Sequence, residues 1–284
     1  MAAININSIT SPGRIEELQW FVDDNSIDIL ALSELKIDSS IHPNLYLIRN
    51  FHPPVVRPRT RRGGGVAIYV KKDLPFTRVD GLEHIDFETV WVKVRLKNKV
   101  ALICSTYLPP NTPADKQSSY LDHLTDAVTR AQACSPDFVA ILGDLNGGNC
   151  WLPPDARNHS PINSYERKLK STSEASGLTQ LIQTATRVQN RTQNIRDLIL
   201  IDSPELVESS GILSSFSNLD HFPVYANLVL KYSVAKTKHI TQVWDYRNAD
   251  IDLLVHTLSE TNWNDITDRD VNDATEAFGE VLHN

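Results

Sequence analysis

Val139-Ala140-Ile141-Leu142-Gly143-Asp144-Leu145-Asn146-Gly147-Gly148-Asn149 is the stretch around which the chain is organised. Four apolar residues run unbroken into Gly-Asp-Leu-Asn and then into two glycines. A short apolar run bounded by turn residues reads as a buried strand. Asp144 and Asn146 stand two apart, and alternate residues of an extended chain point to one side. A carboxylate and a carboxamide are therefore expected to emerge together where the strand ends. Sheet-based enzymes place their chemistry at such ends. The plainer reading is an Asx-turn that closes the strand.

Working outward, Tyr120, Leu121, Leu124, Val128 and Ala131 lie at helical spacing just before this strand. Further back, Val90, Val92, Val94 and Leu96 alternate with other residues, and Lys97-Asn98-Lys99 turns the chain into a second strand, Val100 to Thr106. That strand ends at Tyr107-Leu108-Pro109-Pro110-Asn111. At the start, Ile4-Asn5-Ile6-Asn7 alternates, which predicts a strand with Asn5 and Asn7 on one face. Ser11-Pro12 is placed to cap and open a helix, whose apolar stripe is Ile15, Leu18 and Phe21/Val22. Ile27 to Leu32 is another apolar run, ending in Ser33-Glu34, so the chain opens as β-α-β.

Arg57, Arg59, Arg61 and Arg62 form a basic arm stiffened by Pro58. Gly63-Gly64-Gly65 and the strand Val66 to Val70 follow. No Gly-Lys-Ser/Thr follows the glycines, so they are not a P-loop but a tight turn beside something the backbone must approach. The arginines are either a solvated loop or an arm for phosphate. Beyond the central strand come a loop from Asn149 to Pro161, a polar helix from Ser164 to Ser176, and a strand from Ile195 to Ile201 with Asp197 at its entrance. Gly211 to Phe216 then leads through Ser217-Asn218-Leu219-Asp220-His221-Phe222-Pro223 to a last strand, Val224 to Leu230.

The composition is that of an ordinary soluble globular protein: 284 residues, 41% apolar and 22% charged. No run of about 18 apolar residues offers a membrane span. The start has neither a basic region nor an apolar core for secretion, so an intracellular, nuclear or cytoplasmic location is expected. Asn158-His159-Ser160 and Asn190-Arg191-Thr192 fit the glycosylation pattern but, without secretion, read as chance. Three scattered cysteines make neither a disulfide framework nor a zinc site and point to a reducing compartment. Net charge is −7, and His239 to Asn284 holds ten acids against two arginines, or −8, leaving +1 for the rest. From about Ser233 the pattern changes to one or two acidic helices, with Leu253, Leu254, Leu258, Val271, Phe278 and Val281 as apolar positions. The expected division is 1–232 as the main domain and 233–284 as a tail.

Glu34, Tyr107, Asp144, Asn146, Asp197, Asp220 and His221 share one property: each sits at the edge of a core strand, where side chains can converge on one rim. The set is rich in oxygen with one imidazole, which suits Mg²⁺ or Mn²⁺ rather than zinc. A hard cation beside a His–carboxylate pair is the equipment for water attack on a phosphodiester.

Ser-Glu-Leu-Lys at 33–36, Thr-Tyr-Leu-Pro-Pro at 106–110, Gly-Asp-Leu-Asn at 143–146, Asp-Leu-Ile at 197–199 and Asp-His-Phe-Pro-Val at 220–224 fall in the order found in endonuclease/exonuclease/phosphatase proteins, which the chain resembles over about residues 1–230. Within them it most resembles the apurinic-type endonuclease domain of non-LTR, jockey-like retrotransposons, through Arg61 to Val70 and Val243-Trp-Asp-Tyr-Arg247. The resemblance implies a DNase I-like four-layer α/β/β/α sandwich of two mixed sheets. It implies that Glu34 binds Mg²⁺ with Asn7 nearby, and that Asn5, Tyr107 and Asn146 hold the scissile phosphate. Asp144 would handle a proton. His221 would contact phosphate or activate water, oriented by Asp197, with Asp220 supporting the metal or the histidine. Leu219 departs from the serine usual before Asp-His, and Pro110 displaces Asn111 by one residue. The chain lacks a Tyr-x-Asp-Asp signature, so it is expected to be a fragment, its tail leading toward an absent reverse transcriptase that would bring element RNA. The implied function is Mg²⁺-dependent nicking of DNA to leave a 3′-hydroxyl. The alternatives are a phosphatase or abasic-site nuclease of the same fold, and a nucleic-acid-binding module whose catalysis has lapsed.

Overall fold

The apolar run at Val139 lies inside a six-stranded sheet, and a second six-stranded sheet packs against it. The computed structural model describes residues 1–153, 156, 158–216, 219–229 and 250–283. The chain divides into two units, Met1–Tyr232 and Ser233–Asn284. The first runs β1 (Ala2–Asn5), α1 (Arg14–Asp24), β2 (Ile29–Ser33), β3 (Val55–Arg57), β4 (Val66–Val70), β5 (Phe76–Arg78), β6 (Glu88–Leu96) and β7 (Lys99–Tyr107). It continues α2 (Ala114–Ala133), β8 (Phe138–Asp144), α3 (Ser164–Ala175), β9 (Thr179–Gln180), β10 (Arg187–Gln189), β11 (Thr192–Asn194), β12 (Asp197–Ile201), β13 (Val207–Ile212) and β14 (Val224–Leu228).

One sheet has the order β13-β14-β1-β2-β4-β3, the other β5-β6-β7-β8-β12-β9, and β10 pairs with β11 apart from both. The pairs β1–β2 and β7–β8 are parallel, bridged by α1 and α2, as parallel neighbours require; the remaining pairs are antiparallel. Both sheets are therefore mixed.

Alternation along the strands builds the layers. Ala3, Ile29, Ala31, Val66 and Ile68 of one sheet meet Val92, Ile103, Ala140, Leu142 and Ile199 of the other in a shared core. Their neighbours Ile4, Leu30, Leu32, Ala67 and Tyr69 pack with Leu18, Phe21 and Val22 of α1. On the far side, Trp91, Leu102, Val139, Ile141 and Leu200 pack with Tyr120, Leu121, Leu124 and Val128 of α2 and Leu169 of α3. Each buried Val, Leu, Ile or Phe side chain among these contributes roughly 1.5–3 kcal/mol by burial. The result is the expected α/β/β/α sandwich.

Some local expectations give way. The first helix begins at Arg14, with Gly13 rather than Ser11 at its cap: Gly13 adopts φ +75°, and Ser11 contributes only its carbonyl, which accepts from Arg14 N at 3.1 Å. β1 stops at Asn5, so Asn5 is buried while Asn7, at φ +46°, is exposed and shares no strand face with it. Strand β14 ends at Leu228; Leu230 lies outside the described residues, as do Ser217, Asn218 and the Val243–Arg247 motif. β3, β5, β9, β10, β11 and β13 have no counterpart in the sequence reading, because their short or largely polar runs lack a clear period of two.

The second unit holds α4 (Ile251–Glu260), α5 (Asn264–Thr267) and α6 (Val271–His283). Asp250 caps α4 by accepting from Leu253 N at 2.9 Å, and the rings of Trp263 and Phe278 lie 6.1 Å apart. Leu253, Leu254 and Val271 are exposed. Among the described residues no helix is long and apolar enough to cross a membrane.

Candidate active site

Strand register assembles the site. Asp144 ends β8, flanked on one side by Tyr107 at the end of β7 and on the other by Asp197 at the start of antiparallel β12. On the facing sheet, Asn5 ends β1 beside Ser33 of β2, and Glu34 follows directly. Two hydrogen bonds join the sheets at this rim: Asn5 Nδ2 donates to Asp144 Oδ2 at 2.9 Å, and the Tyr107 hydroxyl donates to Glu34 Oε1 at 2.8 Å.

Gly143 has φ +145°, and a Cβ there would lie 1.9 Å from the Thr106 carbonyl oxygen, so only glycine lets β8 approach β7 closely enough to deliver Asp144. The next residues bend away. Asn146 adopts φ +52°, its N–H donates to Asp144 Oδ1 at 3.1 Å, and its Nδ2 donates to the Leu108 carbonyl at 2.9 Å. The Asx-turn and the functional rim are thus one structure, and Asn146 lies beyond the strand rather than on its face. Asn7, Glu34 and Lys36 also hold positive φ, a backbone state rare outside glycine that costs roughly 1–3 kcal/mol each and clusters at functional sites.

His221 is 5% exposed, and its Nδ1 lies 2.7 Å from Asp197 Oδ2. The Thr186 hydroxyl donates to the same Oδ2 at 2.9 Å while accepting the N–H groups of Arg196 and Asp197, at 2.9 and 3.0 Å. Thr186 O also accepts from Phe222 N at 2.7 Å, so one buried threonine positions both members of the pair. Asp197 Oδ1 is buried with no hydrogen-bond partner.

Asp144, Asp197 and His221 offer ligand atoms that all lie within 4.8 Å of one another. Burial, with the neighbouring Asp197 carboxylate second, pushes Asp144 up to about 7. Burial by itself would lower His221, but Asp197, then Asp144 and Asp220, raise it to about 9. Burial and the adjacent Glu34 raise the Tyr107 phenol.

The other expected site residues stand elsewhere. Lys36 occupies the space between Asn7 and Glu34: its Nζ donates to Asn7 Oδ1 and lies 3.4 Å from Glu34 Oε2. Asp220 is held by Arg187, whose Nε and terminal nitrogen reach Oδ2 at 2.9 and 2.7 Å. Although burial opposes it, Arg187 and then His221 hold the Asp220 carboxyl below its ordinary value. Neither Glu34 nor Asp220 belongs to the tight Asp144–Asp197–His221 group found among the described residues. Lys36 was legible in Ser-Glu-Leu-Lys, two residues past Glu34; Thr186 had no local signal.

The arginine arm is largely occupied. Arg59 pairs with Glu88 at 2.8 Å, Arg61 with Asp38 at 2.8 Å and with Ser40, and Arg57 donates to the Ile85 carbonyl. The Arg62 side chain has no partner among the described residues. Gly64 and Gly65 make the close approach, to Glu88 and its partner Arg59: the Glu88 carboxylate accepts from Gly65 N, and a Cβ at Gly64 would collide with Arg59 Cδ and lie 2.5 Å from Glu88 Oε2, whereas a Cβ at Gly63 would meet nothing within 4 Å. The Gly64 and Gly65 carbonyls in turn accept from Lys36 N and Leu35 N, so this loop supports the backbone around Glu34.

Solved structures share the fold. The endonuclease domain of TRAS1, a telomere-specific non-LTR retrotransposon, superposes with a TM-score of 0.61 at 17% identity, covering 80% of this chain and 96% of that one. An AP endonuclease from Archaeoglobus fulgidus gives 0.59 at 18%, covering 81% and 98%. The 3′ phosphatase NExo from Neisseria, bound to a product DNA hairpin, gives 0.60 at 20%, covering 81% and 98%. No curated protein matches the sequence. Residues 2–222 match the Endonuclease/Exonuclease/phosphatase family, and the chain belongs to it.

Proposed function

We propose that the first unit is a Mg²⁺-dependent endonuclease that cleaves one DNA strand and leaves a 3′-hydroxyl. The observation that carries this reading is the buried Asp144–Asp197–His221 group, clipped through Asn5 to the facing sheet that presents Glu34. The residues fit a hard divalent cation: the donors are mainly carboxylate oxygens, and Asp197 Oδ1 is buried without a partner. Glu34 and the unpartnered Oδ1 of Asp197 are the groups that would hold it, since both Asp144 oxygens already accept hydrogen bonds, from Asn5 and Asn146. Bound there, the cation would polarise a phosphoryl oxygen and offset developing charge.

The chain's own groups supply the rest. Without the cation, and against the effect of burial, Asp197 and Asp144 raise His221 to about 9, so the ring is protonated at neutral pH and suited to donate to a phosphate oxygen. Asp197 and Thr186 fix the ring's orientation. Asp144, near 7, is poised to take a proton from water or give one to the leaving oxygen. Asn5 and the Asn146 N–H keep its carboxylate aimed at the rim. Tyr107 and Asn146 line the phosphate position. The retrotransposon and AP endonucleases that share the fold support DNA as substrate, as does the arm ending in the free Arg62. The second unit then serves as a linker toward a reverse transcriptase that would bring element RNA.

Supercoiled plasmid incubated with the protein should be nicked with Mg²⁺ and left intact with EDTA, and a polymerase should extend the nicks without prior phosphatase treatment. Glu34→Ala, Asp144→Ala and His221→Ala should each lower the rate about 10²–10⁴-fold. Wild-type rates in all three would remove the assignment. Cleavage confined to abasic or 3′-phosphate substrates would transfer the protein to the other activities that share its fold.

A further inference from the structure

A cavity of about 420 Å³ opens between α1 and the segment that leads toward β14, lined by Glu17, Trp20, Phe21, Asp24, Ser215 and Phe216. We infer that it docks a basic segment of another protein, with an arginine or lysine side chain lying over the Trp20 ring between the carboxylates of Glu17 and Asp24.

The sequence of α1 builds one wall. Glu17, then Trp20 and Phe21, then Asp24 recur at helical spacing and so share one face of the helix. Phe21 is buried, and its ring lies 5.1 Å from that of Phe216, which fixes an aromatic floor. Trp20 beside it is 65% exposed, with most of its indole open to a partner. The other wall is held in place as well. The Ser215 hydroxyl donates to the carbonyls of Leu219 and His221, at 3.3 and 3.1 Å. A surface fixed in advance loses little ordering entropy when it is covered.

Charge selects the occupant. α1 carries four acids against the single Arg14, or −3, and Arg14 is engaged with Glu17 at 3.1 Å. The Asp24 carboxylate has no hydrogen-bond or ion-pair partner among the described residues, and none of the residues lining the cavity is cationic. DNA phosphates are repelled by such a face, and an apolar partner would strip water from carboxylates without replacing it. A cation meets both conditions: it pairs with the carboxylates and rests on tryptophan, the ring that attracts cations best. The length of the face suits a chain rather than a lone ion. Glu17 and Asp24 stand roughly 10 Å apart along the helix axis, at about 1.5 Å per residue, and an extended segment covers that distance in about three residues.

The test uses the full chain, free of divalent metal and at low salt, with a fluorescein-labelled peptide carrying arginine at every third position. Anisotropy should show that this peptide binds and that its glutamine counterpart does not, and binding should move the Trp20 indole N–H resonance. Trp20 and Asp24 are exposed, so Trp20→Leu and Asp24→Asn should keep the wild-type melting temperature. Trp20→Leu should weaken binding about 2- to 30-fold, the loss of one cation–π contact, and Asp24→Asn up to about 5-fold, the loss of one exposed charge pair. Glu205→Gln removes the same charge at another exposed position and should leave the affinity unchanged. No binding of the arginine peptide, equal binding of the glutamine peptide, wild-type affinity in both α1 variants, or an equal loss in Glu205→Gln each overturns the inference. Tetramethylammonium that moves the Trp20 resonance at the same concentration as the peptide would make this a small-cation site and overturns the protein segment as its occupant.

Discussion

Replacing Asp197 by Asn tests how the buried pair is built. The two side chains have nearly the same shape, so the Thr186 hydrogen bonds can persist while the charge 2.7 Å from His221 Nδ1 disappears. In the folded protein His221 stands at about 9 against an ordinary 6.5. At about 1.4 kcal/mol per pH unit, that gap is about 3 kcal/mol of preference for the charged ring, with Asp197 the largest favourable contributor. Because the folded value lies above the unfolded one, this stability is fully present below pH 6.5 and is lost as pH rises through about 9. In metal-free Asp197→Asn, NMR titration of His221 should therefore reach its midpoint at least about one pH unit lower. Melting temperature should also depend less on pH between 6.5 and 9. Asp144 is raised by the same carboxylate, so its midpoint should fall too. A His221 midpoint that stays near 9 in the variant would refute the pairing as the cause of its charge.

Three other outcomes follow from the same geometry. Gly143→Ala forces a Cβ to 1.9 Å from the Thr106 oxygen and should cost at least about 3 kcal/mol, seen as a fall in melting temperature of roughly 6–12 °C; an unchanged melt would contradict the close approach of β8 to β7. Arg62→Ala should lower the slope of log affinity against log salt by up to about 0.9, and removing Arg57, Arg59 and Arg61 as well should add much less than three further contacts, because those cations already serve Ile85, Glu88 and Asp38; a full additional drop would show that DNA displaces the internal partners. A protein ending at Ala235 loses the acidic tail and should fold, keep metal-dependent nicking and bind DNA more tightly at low salt, as native gels and melting curves would show; insolubility or a much lower melting temperature would defeat a boundary near residue 232.

Local pattern determined much of this protein. An unbroken apolar run marks β8, alternation marks β6, and helical spacing marks α2, because each depends only on residues close along the chain. For the same reason the sequence places Glu34, Tyr107, Asp144 and Asp197 at strand ends. It also identifies Gly-Gly-Gly as a close approach, though not what is approached. Tertiary structure alone decided which ends meet: Asn5 finds Asp144 across 139 residues, and Tyr107 finds Glu34 across 73. Those pairings follow from the register within each sheet and the packing of one sheet on the other, and a shift of a single residue would turn each side chain to the opposite face. Thr186 beneath Asp197, Lys36 between Asn7 and Glu34, and Arg187 on Asp220 belong to the same class. So does the occupation of the arginine arm. A guanidinium written in sequence is a free cation until the fold brings a carboxylate to it, and here Glu88 and Asp38 arrive from other strands and loops.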